Sequence, residues 1–254
     1  MKKIIILSVL FLMFFLTSCE YDNYDEPSIV ISGKLLNNGE NFLYDGNPTR
    51  SVLKVIQKGF GKVDNGITIR IDEQGEFRQL LFPGEYWLTL NNNSYPFEIP
   101  DFKSLGAGLG YDSIYINLKK SVDMKFEVKP YFNITDFTGQ VEGNNLVLRA
   151  NVTKNTDTSE PAPRVIFCRG YASTGIMVNG ASTCSKAVRA IIPEEGSIEV
   201  SLPIFDGITS YRGAYTNNFR EHAYCRVSIE LEGIQNYYLF SNIIKVENVP
   251  LTPQ

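Results

Sequence analysis

The residue whose chemistry is most clearly indicated by its neighbours is Cys19. It closes the motif Leu16–Cys19 (LTSC), at the end of an apolar run, Ile4–Leu16, that follows two lysines. A run of this length is typical of a signal-peptide core and is too short for a membrane-spanning helix of about 20 residues. The pattern is that of a lipobox, in which the cysteine thiol accepts lipid. We predict a signal peptide over residues 1–18 and acyl chains on Cys19; the alternative is an ordinary secretory signal with a chance cysteine.

Catalytic side chains are sparse. His222 is the sole histidine, and a Ser-His-Asp hydrolase needs a histidine base, while the Gly-x-Ser-x-Gly elbow of one large hydrolase class is absent. Glycoside hydrolysis needs two carboxylates facing across a cleft. Glu194, Glu195 and Asp101 lie in turn-like sequence, where acidic residues are usually solvated. The sequence therefore predicts a protein that is not an enzyme.

The spacing of the potential ligand residues and of the glycines does not indicate a metal or cofactor site either. No cysteine pair has the spacing of zinc ligands, and His222 has no second histidine to converge with. The run Gly106–Gly110 places its third glycine one position early for a dinucleotide fingerprint, so we interpret it as a flexible loop. Asp22–Glu26 lacks the spacing of a calcium loop. We expect no cofactor and no metal site.

The remaining cysteines limit disulfide formation. With Cys19 lipidated, three thiols are left, so at most one disulfide can form within the chain. Proximity in sequence favours the pair Cys168–Cys184, in an envelope that permits oxidation. Cys225 alternates with apolar residues and is predicted to point into the core as a small hydrophobic residue.

Aromatic side chains are the best candidates for ligand binding, with 14 Tyr, 16 Phe and one Trp in the chain. Flat aromatic faces can cover the C–H side of a sugar ring, while amides and charged groups bind its hydroxyls. Trp87 is the first candidate, because strand alternation places it opposite Tyr86 and Leu88, which are predicted to be buried. The alternative is that Trp87 fills the interface between two domains or a second core face.

The segment Tyr211–His222 is the second candidate for a glycan-binding surface. It interleaves aromatic residues, including Tyr211 and Tyr215, with polar and basic ones, including Arg220. A loop of that mixture can recognise a ligand or a partner protein. The alternative is an ordinary strand followed by a polar turn.

Charge excludes one class of partner. Loss of residues 1–18 removes two lysines and no acid, which changes the formal net charge from −4 to −6. Nucleic-acid binding needs clustered Lys and Arg to neutralise phosphates, so we expect no nucleic-acid partner. Residues 19–28 are polar and acidic and are interpreted as a tether between the lipid and the first strand.

After the tether, the sequence is dominated by short apolar or alternating segments without helical periods, which favours an all-β fold of antiparallel sandwiches. In one of these segments Ile67, Ile69 and Ile71 are predicted to share a face. The predicted strands are Ile29–Leu35, Ser51–Gln57, Ile67–Ile71, Glu85–Leu90, Ile114–Leu118, Met124–Val128, Leu146–Val152, Arg164–Cys168, Ala187–Ile192, Ser197–Leu202, Tyr211–Tyr215, Ala223–Leu231 and Tyr238–Val246.

Two domains are predicted. Pro130 cannot donate to a central ladder and tends to end a strand, so we place a boundary there, between residues 29–129 and residues 130–254. Seven strands in the second part fit an immunoglobulin-like sandwich, although the Cys…Trp…Cys hallmark of true immunoglobulin domains is missing.

The first domain resembles a known fold family. The run Asp72–Phe77, followed by Leu81–Leu88 with its Pro83-Gly84 turn and Tyr86, is similar to the carboxypeptidase-regulatory-like (prealbumin-like) sandwich. In that family a glycine turn, a Pro-Gly turn and a buried tyrosine recur.

The whole arrangement resembles a two-domain Bacteroidetes lipoprotein family of unknown function. Its marks are Cys19 followed by Asp22–Asp25, the Phe82–Gly84 turn and the junction Val128–Ile134. Acidic residues after the lipid cysteine also resemble an export signal to the outer face of the outer membrane. The resemblance implies a non-catalytic accessory of a Sus-like polysaccharide-uptake system, which binds glycan or docks on the transporter. The alternative is a fimbria-like adhesive protein or an envelope structural protein.

Overall fold

The computed structural model describes residues 25–59, 66–92, 94–106, 109–178, 189–190, 195–205, 210–213 and 219–253. Over these ranges the regular elements are strands, apart from one 3₁₀ turn at Pro48–Arg50. The prediction of an all-β chain is confirmed. Within the same ranges, no helix reaches the length and hydropathy needed to cross a bilayer.

The first sandwich is built from two four-stranded sheets. In one, β1 pairs with β2, β5 and β9; the other has the order β4-β3-β6-β8. A short pair, β7 with β10, lies beside them. The strands are β1 (Ile29–Asn37), β2 (Glu40–Asn41), β3 (Leu53–Gln57), β4 (Ile67–Ile69), β5 (Glu76–Leu81), β6 (Gly84–Leu90), β7 (Phe97–Glu98), β8 (Ile114–Leu118), β9 (Val122–Glu127) and β10 (Lys129–Pro130).

One pair in this sandwich is parallel, β1 with β9, and it depends on Gly33. A Cβ atom at Gly33 would lie 1.9 Å from the carbonyl oxygen of Met124 and 2.6 Å from the ring of Phe77. The register of β1 is continuous through Gly33 with both neighbouring strands. The glycine therefore permits close approach of β9 and does not mark a bulge.

Strand β6 shows the alternation that the sequence predicts. Tyr86 and Leu88 are fully buried, and the Tyr86 hydroxyl donates to the carbonyl oxygen of Phe82 at 2.9 Å. In β4 Ile67 and Ile69 lie opposite Val55 and Leu53 of β3, so they share a face as predicted, but Ile69 is fully buried whereas Ile67 is 44% exposed.

The second sandwich pairs a three-stranded sheet, β11-β12-β15, with a five-stranded sheet in which β14-β13-β16-β17 are joined by β18 beside β16. Its core includes Leu146, Leu148, Val200, Val227 and Ile229. The strands are β11 (Phe132–Glu142), β12 (Asn145–Lys154), β13 (Val165–Ser173), β14 (Arg189–Ala190), β15 (Gly196–Pro203), β16 (His222–Leu231), β17 (Leu239–Phe240) and β18 (Ile244–Glu247).

The observed strands of the second sandwich differ from the predicted ones in several places. The predicted strand Tyr238–Val246 is two short strands, β17 and β18, which pair with different parts of β16. The long strand β11 was not predicted, because its pairing with β12 shifts register between Thr135 and Thr138 and Asp136 adopts a left-handed φ of 52°, which interrupts the alternation. The predicted strand Tyr211–Tyr215 is instead a turn over its described residues, 211–213.

The two sandwiches share one hydrophobic core, which runs continuously from the first into the second. At the junction Pro130 pairs with Phe97 in the short β7–β10 ladder. The ring of Tyr95 contacts that of Tyr237 from the second sandwich, with centroids 4.8 Å apart. The junction is therefore packed like a domain interior.

Candidate functional site

Trp87 lies on the outer side of the sheet β4-β3-β6-β8, where it is 40% exposed. Its partner in the β6–β8 register is Tyr115, which is 46% exposed, and the two ring centroids are 5.1 Å apart. On the other side of Trp87, its partner in β3 is the half-buried Ile56. We call Ile56, Trp87 and Tyr115 the aromatic face. In the structure, Trp87 therefore fills neither a domain interface nor a second core face.

Polar groups border the aromatic face. The Glu85 carboxylate is 2.6 Å from the Lys58 ammonium and also accepts a hydrogen bond from the Tyr115 hydroxyl. These hydrogen bonds, the one from Lys58 first, lower the pKa of Glu85, while the bond to Glu85 raises the pKa of Tyr115. The exposed Asn117 pairs with Glu85 across β6 and β8. The surface thus combines flat rings with a carboxylate, an ammonium and an amide.

The other predicted glycan-binding residues are not part of this surface. Tyr211 is 1% exposed, and its hydroxyl donates to the carbonyl oxygen of His222 at 2.6 Å, so its ring has no face open to a ligand. Arg220 is exposed and donates to the carbonyl oxygen of Thr174 at 2.6 Å. Tyr215 lies outside the described residues. The structure does not bring Tyr211 and Arg220 together with Trp87.

The cysteines occupy the core. Cys168 is a free thiol with no exposed surface, and its burial raises its pKa to about 12. Cys168 therefore does not form the predicted disulfide with Cys184. Cys184 itself lies outside the described residues. Cys225 is fully buried, which confirms its predicted place in the core.

A cleft between the two sandwiches was not predicted. Its volume is about 850 Å³. One wall comes from residues 94–106 and Tyr111 of the first sandwich and the other from residues 156–163 of the second, with Lys129 and Tyr131 between them. Ligand sites occur preferentially in cavities of this size at domain interfaces. The cleft forms only when the two sandwiches pack together. The segments that line it therefore show no shared pattern in the sequence, where they look like a loop, a polar turn and a domain junction.

Residues 29–129 match the family model described as the N-terminal domain of a protein of unknown function, DUF3823. This part of the chain is similar to the DUF3823 N-terminal domain. The resemblance to a Bacteroidetes family of unknown function is thereby confirmed. No curated protein matches the sequence significantly.

Solved structures show the same fold over nearly the whole described chain. A DUF3823 protein from Parabacteroides merdae superposes with a TM-score of 0.66 at 20% identity, covering 88% of this chain and 100% of that one. A DUF3823 protein from Bacteroides ovatus gives 0.61 at 20% identity, with coverages of 87% and 99%. A Bacteroides uniformis protein, named as a candidate carbohydrate binding protein, gives 0.57 at 15% identity, with coverages of 87% and 99%.

Proposed function

We propose that this protein is a lipid-anchored, non-catalytic protein of the outer membrane that binds carbohydrate at the aromatic face. The observation that carries the proposal is the pair Trp87 and Tyr115, two large rings side by side on the outward side of a sheet. Exposed aromatic rings of this size cost free energy in water unless a partner covers them, and a sugar's C–H face is a suitable cover.

The groups around the rings suit a hydroxyl-bearing ligand. Glu85 accepts hydrogen bonds, whereas Lys58 donates them, and the amide of Asn117 does both. Glu85 also interacts with the Tyr115 hydroxyl, so a charged acceptor lies directly beside the rings. The name of the Bacteroides uniformis neighbour supports the same ligand class.

The proposed setting is the cell surface. The lipobox at Cys19 and the acidic tether support an anchored protein that faces outward, and the scarcity of catalytic groups leaves capture or docking as its role. We place it as an accessory of a Sus-like polysaccharide-uptake system. Co-purification with an outer-membrane transporter from cells grown on a bound polysaccharide tests this placement.

Calorimetry and affinity electrophoresis against soluble mannan, xylan, β-glucan, arabinogalactan and polygalacturonate test the function. Trp87→Ala should weaken binding by about tenfold or more. Phe82→Ala is the matched control, since Phe82 is also 40% exposed but lies before β6, and it should bind as the wild type does. Unchanged affinity in Trp87→Ala would show that the site is assigned wrongly. Failure of the wild type to bind any panel member, together with co-purification in filaments, would favour the adhesive alternative.

A further inference from the structure

We propose that the cleft between the sandwiches is a second carbohydrate-binding site, for a neutral oligosaccharide segment. The inference rests on the proposed function for its ligand class, but it concerns different residues. Half of the cleft lining is aromatic or apolar, and the other half carries hydroxyl, carboxylate and ammonium groups. That combination suits a ligand whose rings present apolar faces and hydroxyl edges.

The aromatic side of the cleft is a continuous set of packed rings. Tyr111 lies with its ring centroid 6.0 Å from that of Tyr95, which stacks on Phe97 at 5.6 Å and contacts Tyr237 at 4.8 Å. Tyr95 is 3% exposed, so it forms the support, whereas the half-buried Tyr111 reaches the cleft surface. The rings facing the cleft are therefore held by both sandwiches.

Tyr131 is the ring between the two walls. It is half-buried, and burial, followed by the charge of Glu98, raises the pKa of its hydroxyl to about 12. The hydroxyl therefore stays protonated near neutral pH and remains a hydrogen-bond donor as well as an acceptor. Its backbone is fixed from both sides, because its N–H donates to Pro96 and its carbonyl oxygen accepts from Asn155.

The walls are tied together before any ligand binds. The Glu98 carboxylate accepts the backbone N–H groups of Ser159 and Glu160 at 3.0 and 2.8 Å, and the Lys129 ammonium donates to the carbonyl oxygen of Asp157 at 3.1 Å. A preformed cleft does not lose the free energy that ordering a mobile loop would require.

Charge in the cleft favours a neutral ligand. Two cations, Lys103 and Lys129, and three carboxylates, those of Glu98, Asp157 and Glu160, line the same cavity, so its formal charge is slightly negative. A polyanion would meet three carboxylates there, whereas neutral hydroxyls can pair with groups of either sign.

The test must resolve individual residues, because the two sites are close. Tyr111 in the cleft and Tyr115 on the aromatic face are four residues apart, which limits their Cα separation to about 14 Å. Hydroxyl-radical footprinting of the full chain, read by mass spectrometry, separates them. The probe is whichever of mannan, xylan, β-glucan and arabinogalactan binds most tightly. Oxidation of Tyr111 and Tyr131 should fall by roughly twofold or more, since pockets cover most of a ligand's surface.

The outcomes separate this inference from the proposed function. Protection of Trp87 and Tyr115 alone would overturn the second site and leave the first intact. Protection of Tyr111 and Tyr131 alone would support the cleft and overturn the aromatic face. The inference would be overturned if no neutral polysaccharide protected any of these residues, or if only polygalacturonate protected the cleft.

Variants give an independent readout. Tyr131→Ala should weaken binding by about tenfold, whereas Tyr131→Phe, which keeps the packed ring and removes only the hydroxyl, should weaken it less. Phe82→Ala again serves as the control. If Tyr131→Ala folds and binds as the wild type does, Tyr131 is not part of a carbohydrate site and the inference fails.

Discussion

Arg226 of the second sandwich donates from Nη1 to the carbonyl oxygen of Tyr44 in the first, at 3.0 Å. The same side chain donates to the carbonyl oxygens of Val178 and Ser241, each at 3.3 Å, and its guanidinium lies 4.2 Å from the ring centre of Phe240. Arg226 is only 1% exposed. A single cation thus satisfies buried carbonyl groups on both sides of the junction.

Arg226→Ala should destabilise the whole chain, because it leaves several buried carbonyl groups unsatisfied and a cavity beside Phe240. We expect a loss of roughly 3 kcal/mol or more in the free energy of unfolding, measured by urea titration. Arg164→Ala is the matched control: Arg164 forms an ion pair with Glu232 in which both side chains are 58% exposed, so its loss should change stability by less than about 1 kcal/mol. Equal effects of the two substitutions would contradict the role given to Arg226.

Stability should fall at alkaline pH. The pKa of the buried Cys168 thiol is raised from 9.0 to about 12, and that of Tyr171 from 10.0 to about 12, both mainly by burial. Between these values the unfolded chain has released protons that the folded chain still holds, so rising pH favours unfolding. The urea midpoint should therefore decrease as the pH rises from about 9 to 11.

Cys168→Ala isolates one contribution to this pH dependence. It removes a thiol that ionises only in the unfolded chain. Above about pH 9 the free energy of unfolding should therefore decline less steeply with pH, by up to about 1.4 kcal/mol per pH unit. The comparison of urea midpoints at several pH values checks this. A slope identical to that of the wild type would show that the thiol is not protected as the structure indicates.

Gly33→Ala should lower the melting temperature substantially, because the new methyl group would collide with the Met124 carbonyl oxygen and force β1 away from β9. We expect a cost of about 2 kcal/mol or more. At Gly175 a Cβ meets no atom within 4 Å, so Gly175→Ala should leave the melting temperature nearly unchanged. Scanning calorimetry of the two variants decides whether the contact at Gly33 is as close as described.

Cys19→Ser should release the protein from the membrane, because the variant keeps the signal peptide but has no thiol to acylate. Fractionation of cells expressing each form should place the wild type with the membranes and the variant in the aqueous fraction. Protease treatment of intact cells then reports whether the anchored chain faces outward. Membrane association of the serine variant would contradict the lipobox interpretation.

Local patterns in the sequence were enough to place Trp87 but not its partner. Alternation along β6 placed Trp87 opposite Tyr86, and the strand Ile114–Leu118 was predicted with its observed bounds. That Tyr115 stands beside Trp87 depends on the register between β6 and β8, which tertiary packing sets and which no local pattern records.

The cleft illustrates a second limit of prediction from sequence. The Glu98 carboxylate and the N–H of Ser159 are 61 residues apart in the chain and meet only after both sandwiches form. Similarly, the left-handed backbone at Asp136 interrupts β11, so the strand does not show the alternation of apolar and polar residues by which strands are predicted. Local alternation is therefore sufficient to predict the fold class, but not the surfaces that the assembled chain creates.

The shared junction bears on how such proteins can evolve. Tyr95 rests on Tyr237, and Arg226 reaches Tyr44, so each half carries a surface shaped for the other. Recombination between genes usually moves domains that fold independently and do not need a neighbouring domain to cover their surface. A chimera that joined residues 29–129 to an unrelated second sandwich would lose both contacts at once. New ligand preferences in this lineage should therefore arise by substitution within the rings and loops, with the two halves transmitted together.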